Sequence, residues 1–285
     1  MWSLVNIPKI AHFYWGAPLL SYLRYLTVFT FNKYNPDWKI KVYYPKEKYT
    51  GGKWWSHQET DVVCEDYFGE LSKIPNVEMI EVDFNSLGIG DVPEVYRSDL
   101  LRLKLLGTEG GIYSDMDILY FKPLEEAWFN SPINSKVNTI ISYHPTRNHY
   151  SIGFLGASVN NDFYKFLYEE GVKRINQTKE YQWLGVIMWK TFFNTPIVIT
   201  QKYPHLRVLD IQMDLCYSLD STQIGSLYDE CVPISNPKTI ALHWYGGHPK
   251  TGALENKLTP YNLDTIGNTI AAVAKRALNG GNNAI

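Results

Sequence analysis

Gly110-Gly111-Ile112-Tyr113-Ser114-Asp115-Met116-Asp117-Ile118-Leu119-Tyr120 places two carboxylates one residue apart directly after an apolar run. In an extended segment side chains alternate between faces, so Asp115 and Asp117 are expected to share a face at the end of a buried strand. Paired carboxylate oxygens suit a hard divalent cation, Mg²⁺ or Mn²⁺, which is commonly held by one or two carboxylates together with substrate phosphates. The substrate this implies is a nucleoside diphosphate. An isolated triplet of this kind is common in solvated turns, so its weight depends on what surrounds it.

Immediately upstream, Tyr96-Arg97-Ser98-Asp99-Leu100-Leu101-Arg102-Leu103-Lys104-Leu105-Leu106 precedes Gly107 and the Gly110-Gly111 pair. The pattern predicts an amphipathic helix stopped by glycine and feeding the strand. Asp99 and Arg102 lie three apart, hence on one helical face, which is equally the arrangement of an ordinary surface ion pair. Further upstream, Ile7-Pro8-Lys9-Ile10-Ala11-His12-Phe13-Tyr14-Trp15-Gly16 reads as a first strand. Leu19, Leu23, Leu26 and Phe29 recur at helical spacing, and Asn35-Pro36-Asp37 stops that helix before a second strand over 38–44. Strand, helix, strand predicts a crossover with parallel strands, whose ligands gather beyond the carboxyl ends, where Trp15 falls. Arg24 enters this reading only as an interruption of the apolar stretch.

Downstream, strands are expected at 77–82, 139–143, 152–157, 196–200 and 206–209, and helices at 161–176 and 181–193. A last strand over 239–243 delivers His243 into Gly246-Gly247, with Lys250 following. That adds a nitrogen ligand and a phosphate-binding cation to the carboxylate pair, although a lone histidine at a strand end is more often structural. The expected fold is α/β, a single Rossmann-like domain over 1–265 with a mostly parallel central sheet flanked by helices, then a C-terminal helix and loose tail over 266–285.

The 285 residues are 45% hydrophobic and 15% aromatic, enough for a substantial core. A formal charge of −2 removes the electrostatic argument for nucleic acid as an obligatory partner, without excluding a nucleotide. Cys64, Cys216 and Cys231 are widely spaced, with no C-x-x-C pair, which points to a reducing compartment. Neither a leader peptide nor a membrane span is legible, so a cytoplasmic location is expected. Asn176-Gln177-Thr178 fits a glycosylation acceptor triplet and carries little weight by itself. Trp54 and Trp55 are unassigned, covering the core being the commoner use of such residues.

Taken together, the blocks at 7–16, 97–102 and 110–117 resemble the D-x-D glycosyltransferases of the GT-A fold. Within them they are most similar to the mannosyltransferase-related group, glycosyltransferase family 32, to which the glucosylating clostridial toxins are distantly similar. The resemblance implies that Trp15 stacks on the nucleotide base, with His12 of the same block grouped on the nucleotide side. It implies that Asp99 and Arg102 hold the donor sugar hydroxyls and the diphosphate side. Asp115 matches the first aspartate, touching sugar or ribose and reaching the metal through water, and Asp117 the second, the direct metal ligand. His243, Gly246 and Lys250 look like the C-terminal element of related retaining enzymes, in which histidine completes the metal site while glycine and lysine meet the nucleotide. The chain departs from the pattern at Ile152-Gly153-Phe154-Leu155-Gly156-Ala157 and at Asn194-Thr195-Pro196, segments that shape the acceptor side.

The expected activity is transfer of a hexose from a nucleoside-diphosphate sugar, UDP-linked first and GDP-mannose second, to a glycan, lipid-linked, protein or other hydroxyl acceptor. Retention of anomeric configuration is implied by the resemblance alone. Catalysis falls to Asp99, Arg102, Asp115 and Asp117, the departing diphosphate being stabilised by a Mn²⁺ or Mg²⁺ ion with Arg102 and Lys250 as fixed positive charge. Two other classes compete. A nucleotidyltransferase normally wants a glycine-rich basic phosphate loop, which Gly16-Ala17-Pro18 does not offer. A non-catalytic carbohydrate-binding protein has no need for the four charged residues.

Overall fold

The computed structural model describes residues 7–48, 63–125, 136–177, 180, 182–211 and 223–280. Along them run β1 (Ile10–Tyr14), α1 (Tyr22–Tyr34), β2 (Lys39–Pro45), β3 (Val77–Val82), α2 (Glu94–Thr108), β4 (Gly111–Ser114), β5 (Ile118–Tyr120), β6 (Thr139–His144), β7 (His149–Ala157), α3 (Asp162–Arg174), α4 (Met188–Phe192), α5 (Pro196–Lys202), β8 (Val208–Asp210), α6 (Ser226–Asp229), β9 (Ala241–His243), α7 (Thr251–Lys257) and α8 (Thr269–Asn279). Trp54, Trp55, Cys216, Thr178 of the acceptor triplet and the tail after residue 280 lie outside the described residues.

The main sheet has the order β3-β2-β1-β4-β7-β6-β8. Its first four strands are mutually parallel, β7 is antiparallel to both β4 and β6, and β8 is parallel to β6. The α/β class with a mostly parallel sheet is therefore as expected. Alternation along the strands divides the core. Phe13, Val42 and Ile112 face one cluster, which includes Val28 and Phe31 of α1. Tyr14, Tyr43 and Tyr113 face the other, which includes α2 and α3. Helices consequently cover both faces, and the carboxyl ends of β1 and β4 open onto one edge of the sheet.

Local chemistry sets the helix ends. Ser21 caps α1 by accepting the Arg24 N–H at 3.3 Å, and Asn161 caps α3 by accepting that of Tyr164 at 3.3 Å. Asn268 does the same for α8, which ends on left-handed Gly280 (φ 72°) and packs against α1, α6 and β5. Between α2 and β4 the chain turns on Gly110 (φ 69°) and Gly111 (φ 94°), and a Cβ at Gly111 would lie 2.4 Å from the Ile10 carbonyl oxygen. Only glycine lets β4 slot beside β1 there. No helix among the described residues is long and apolar enough to cross a membrane.

Three expectations change. Asp115 and Asp117 do not extend a strand; β4 ends at Ser114 and the pair occupies the turn into β5, which leaves the main sheet to pair with β9. Residues 196–200 form α5 instead of a strand, because Pro196 at the first helical position after extended Thr195 outweighs the β-branched run that follows. The 181–193 helix divides into a π-helical turn, Trp183–Ile187, and α4.

His12 is fully buried on β1, where Nε2 donates to the Gly110 carbonyl at 2.8 Å and Nδ1 accepts from the Tyr43 hydroxyl at 3.0 Å. Burial lowers its pKa to about 4, against the Gly110 carbonyl, which raises it. Between pH 6.5 and 4 the unfolded chain therefore binds the proton that the folded chain refuses, and stability falls as pH falls through that window. The loss amounts to about 3 kcal/mol. Asp99, with its pKa raised to about 6, works in the opposite direction, its penalty growing as pH rises from 3.8 to 6. Urea unfolding of wild type and His12→Asn at pH 7.5 and 4.5 isolates the histidine: the wild type is expected to lose about 2.5 kcal/mol more than the variant. Equal losses contradict the assignment.

Candidate active site

At the carboxyl ends of β1 and β4 lies a cavity of about 240 Å³ lined by Tyr14, Trp15, Gly16, Arg24, Ser98, Asp99, Arg102, the 115–117 turn, the 149–153 strand, Gln182, Gly185, Val186 and His243. Residues more than 140 positions apart thus converge because the parallel crossover brings β1 beside β4 and the small sheet brings β9 beside β5.

Arg102 organises one wall. From α2 its Nη2 pairs with Asp99 Oδ1 at 2.9 Å and Asp115 Oδ1 at 3.1 Å, and donates to Ser98 Oγ at 3.1 Å. Its Nη1 donates to the Ile152 carbonyl at 2.6 Å, and the guanidinium lies 4.6 Å from the centroid of the Tyr113 ring. Two carboxylates facing one guanidinium in a buried site cannot both be fully compensated. Burial accordingly pushes Asp99 up to about 6, with Arg102 opposing and Asp115 reinforcing. Asp115 is also raised, by burial against the pull of Arg102.

Asp117 anchors the opposite wall. Its Oδ2 accepts the Gly246 N–H at 2.7 Å, its carbonyl accepts the Trp244 N–H at 3.0 Å, and its Oδ1 lies 3.1 Å from His243 Nε2. The β5–β9 pairing sets His243 opposite Ile118, and left-handed Tyr245 (φ 55°) turns the chain so that the Gly246 N–H meets the carboxylate. Burial alone would raise the pKa of Asp117. His243, Arg24 and the Gly246 N–H reverse that and hold it at about 2.

These two donors fit a small divalent ion. Asp117 Oδ1 and His243 Nε2, 3.1 Å apart at the cavity wall, are the groups that would hold such an ion, which would supply positive charge there. Among the described residues no group of three or more His, Cys, Asp or Glu forms a complete cage.

The structure thus brings Trp15, Asp99, Arg102, Asp115, Asp117 and His243 to one cavity and leaves three expected residues outside it. His12 is sealed beneath the sheet edge, both ring nitrogens used internally, and does not line the cavity. Gly246 acts on Asp117. Lys250 lies half exposed at the surface, paired with Asp229. The reverse omission is Arg24. Its side chain is only 7% exposed, its Nε pairs with Glu255 at 2.7 Å, and its guanidinium packs on the rings of Trp15 (4.6 Å) and Trp244 (5.0 Å). The signal was present: Arg24, Val28 and Phe31 share the core-facing stripe of α1, where a lone charge is out of place.

Gly246 approaches this arginine closely, since a Cβ there would lie 2.5 Å from Arg24 Nη2. The arginine is clamped and cannot step aside. Gly246→Ala is therefore expected to cost about 2 kcal/mol through overpacking, read as a lower unfolding midpoint in urea; an unchanged midpoint contradicts the clamp.

Residues 27–138 match the family described as glycosyltransferase sugar-binding region containing DXD motif. Among solved structures the chain is similar to the PaToxG glycosyltransferase, at 16% identity over 95% of this chain and 87% of that one, with a TM-score of 0.47. It is similar to the galactosyltransferase LgtC in complex with donor and acceptor sugar analogues, at 14% identity over 95% of each chain and a TM-score of 0.45. A further likeness is to the glycosyltransferase GlyE of Streptococcus pneumoniae TIGR4, at 10% identity over 96% of this chain and 64% of that one, TM-score 0.45. Such loose overlaps carry no residue roles. No curated protein sequence matches. The family match spans the helix of Asp99 and Arg102 and the turn of Asp115 and Asp117.

Proposed function

We propose that the protein transfers a hexose from a nucleoside-diphosphate sugar, UDP-linked in the first instance, to a hydroxyl acceptor, with a divalent ion held by Asp117 and His243. The observation that carries the reading is the Asp117–His243 ligand edge facing the Arg102-clamped Asp99 and Asp115 across a single cavity. Mn²⁺ or Mg²⁺, when bound, neutralises charge that develops on the leaving diphosphate.

The chain's own residues do the rest. Trp15 is held by its indole N–H, which donates to the Leu19 carbonyl at 3.1 Å, and its half-buried ring offers a flat surface for a base. Asp99, fixed by Arg102, accepts hydrogen bonds from donor sugar hydroxyls, and Asp115 accepts from sugar or ribose. Tyr14 and Tyr150 also line the cavity. Positioning of the acceptor on the face that the diphosphate leaves gives retention. A glycan or protein is the preferred acceptor, since the charge balance does not favour a polyanion.

The test is a panel of UDP- and GDP-hexoses with Mn²⁺, with release of free nucleoside diphosphate as the readout. One donor is expected to turn over and proton NMR of its product to show the anomeric configuration of the donor. No release from any donor contradicts the activity, and an inverted product contradicts retention alone.

A further inference from the structure

A leaving diphosphate needs fixed positive charge beyond a shared ion, and Lys250 does not supply it. Its Nζ pairs with Asp229, and it lines a different hollow with Lys257. Arg102 is already committed, with Nη1 on Ile152 and Nη2 shared among Ser98, Asp99 and Asp115.

Arg24 is in the opposite condition. It lines the cavity beside Asp117 and His243, and its Nε alone is engaged, on Glu255. A guanidinium carries five N–H donors, four of them on Nη1 and Nη2. Among the described residues neither Nη1 nor Nη2 donates a hydrogen bond. The group is also held on several sides. The Trp15 and Trp244 rings pack against it at 4.6 and 5.0 Å, Glu255 fixes its Nε end, and Ser21 Oγ donates to the same Glu255 oxygen at 2.7 Å. A planar fork held this rigidly, next to the ring offered to the base and the carboxylate offered to the ion, matches the oxygens that lie between base and metal in a nucleoside diphosphate. The Glu255 contact also explains why Lys250 stays outside, because it ties α7, which begins just after Lys250, to α1.

We propose that Arg24 binds the diphosphate of the nucleotide donor through its Nη1–Nη2 edge, and so fills in this chain the place that the C-terminal lysine was expected to take. The assignment rests on the nucleotide-sugar reading above. Arg24 is a substrate-binding residue, and Glu255 and the two tryptophans are its positioning residues.

The test titrates the full-length protein with UDP and with uridine, in the presence of Mn²⁺, by calorimetry. Arg24→Gln is expected to weaken UDP binding about tenfold or more, the loss of a charge-assisted contact, while changing uridine binding by less than about threefold. Lys250→Ala is expected to leave both within about twofold, as for an exposed ion pair. Should Arg24→Gln fail to fold, Arg24→Lys serves, keeping the charge but losing the fork, with an expected loss of about three- to tenfold for UDP only. Equal weakening of UDP and uridine by Arg24 variants assigns the residue to packing and overturns the proposal. A selective loss of UDP in Lys250→Ala overturns it as well. A wild-type protein that binds neither UDP nor GDP overturns the nucleotide reading itself, an outcome distinct from a wild type that binds UDP indifferently to residue 24.

Discussion

Asp117→Asn is expected to lower donor turnover by about 10²–10³-fold, the scale on which loss of transition-state charge stabilisation is felt. The substitution is nearly isosteric. An amide oxygen still accepts the Gly246 N–H that now binds Oδ2 at 2.7 Å, and the backbone carbonyl still accepts from Trp244, so the turn into β5 keeps its anchors. What disappears is the negative charge that the surroundings take care to preserve, His243 and Arg24 holding the carboxyl at about 2 against burial. Turnover is measured as nucleoside diphosphate release under saturating Mn²⁺, with the thermal midpoint as a control for folding. Activity within about threefold of wild type, in a folded variant, contradicts the role given to Asp117.

Arg102→Met is expected to be the more damaging change to stability. Arg102 is the cation shared by Asp99 and Asp115 and also donates to Ser98 and the Ile152 carbonyl. Removing one partner from such a buried set strands the others, at a cost of about 3–5 kcal/mol at neutral pH. The pH dependence carries the diagnosis. Asp99 already has a pKa of about 6, and losing the Arg102 charge, which lowers it, moves it further up. A carboxyl whose folded-state pKa is raised penalises the fold when ionised, so the penalty is full above that pKa and is relieved as pH falls through it. The gap in unfolding free energy between variant and wild type is therefore expected to narrow on moving from pH 7.5 to 5. A gap that is constant across this range assigns the loss to packing on Tyr113 and Ile152 instead of to charge.

Sequence reading reached the order of elements around the site because each carries a strong local signal. The glycines at 110 and 111 require left-handed backbone, and the apolar positions of α2 leave Asp99 and Arg102 on one face. It misjudged elements whose local preference is overridden by position. Ile197-Val198-Ile199 has strand character, but a proline at the first helical position starts α5. The alternation that placed Asp115 and Asp117 on one strand face assumed that the strand continues, whereas the chain leaves the main sheet at Ser114, donating the Asp115 N–H to the Gly153 carbonyl at 2.7 Å. Arg24 was passed over for a different reason. Its place on the core-facing stripe of α1 is the one local sign, and the partners that reveal its role, Glu255, Trp15 and Trp244, lie up to 231 positions away. Lys250 shows the converse: correct spacing after His243, but a side chain drawn to Asp229.

In the proposed reaction a divalent ion is held by Asp117 and His243 and shared with the diphosphate. The most direct test of that proposal is the affinity of UDP for wild type and Asp117→Asn, each titrated with and without Mn²⁺. Mn²⁺ is expected to tighten UDP binding at least about tenfold in the wild type and to leave the variant's affinity unchanged. The same Mn²⁺ enhancement in both proteins would contradict it.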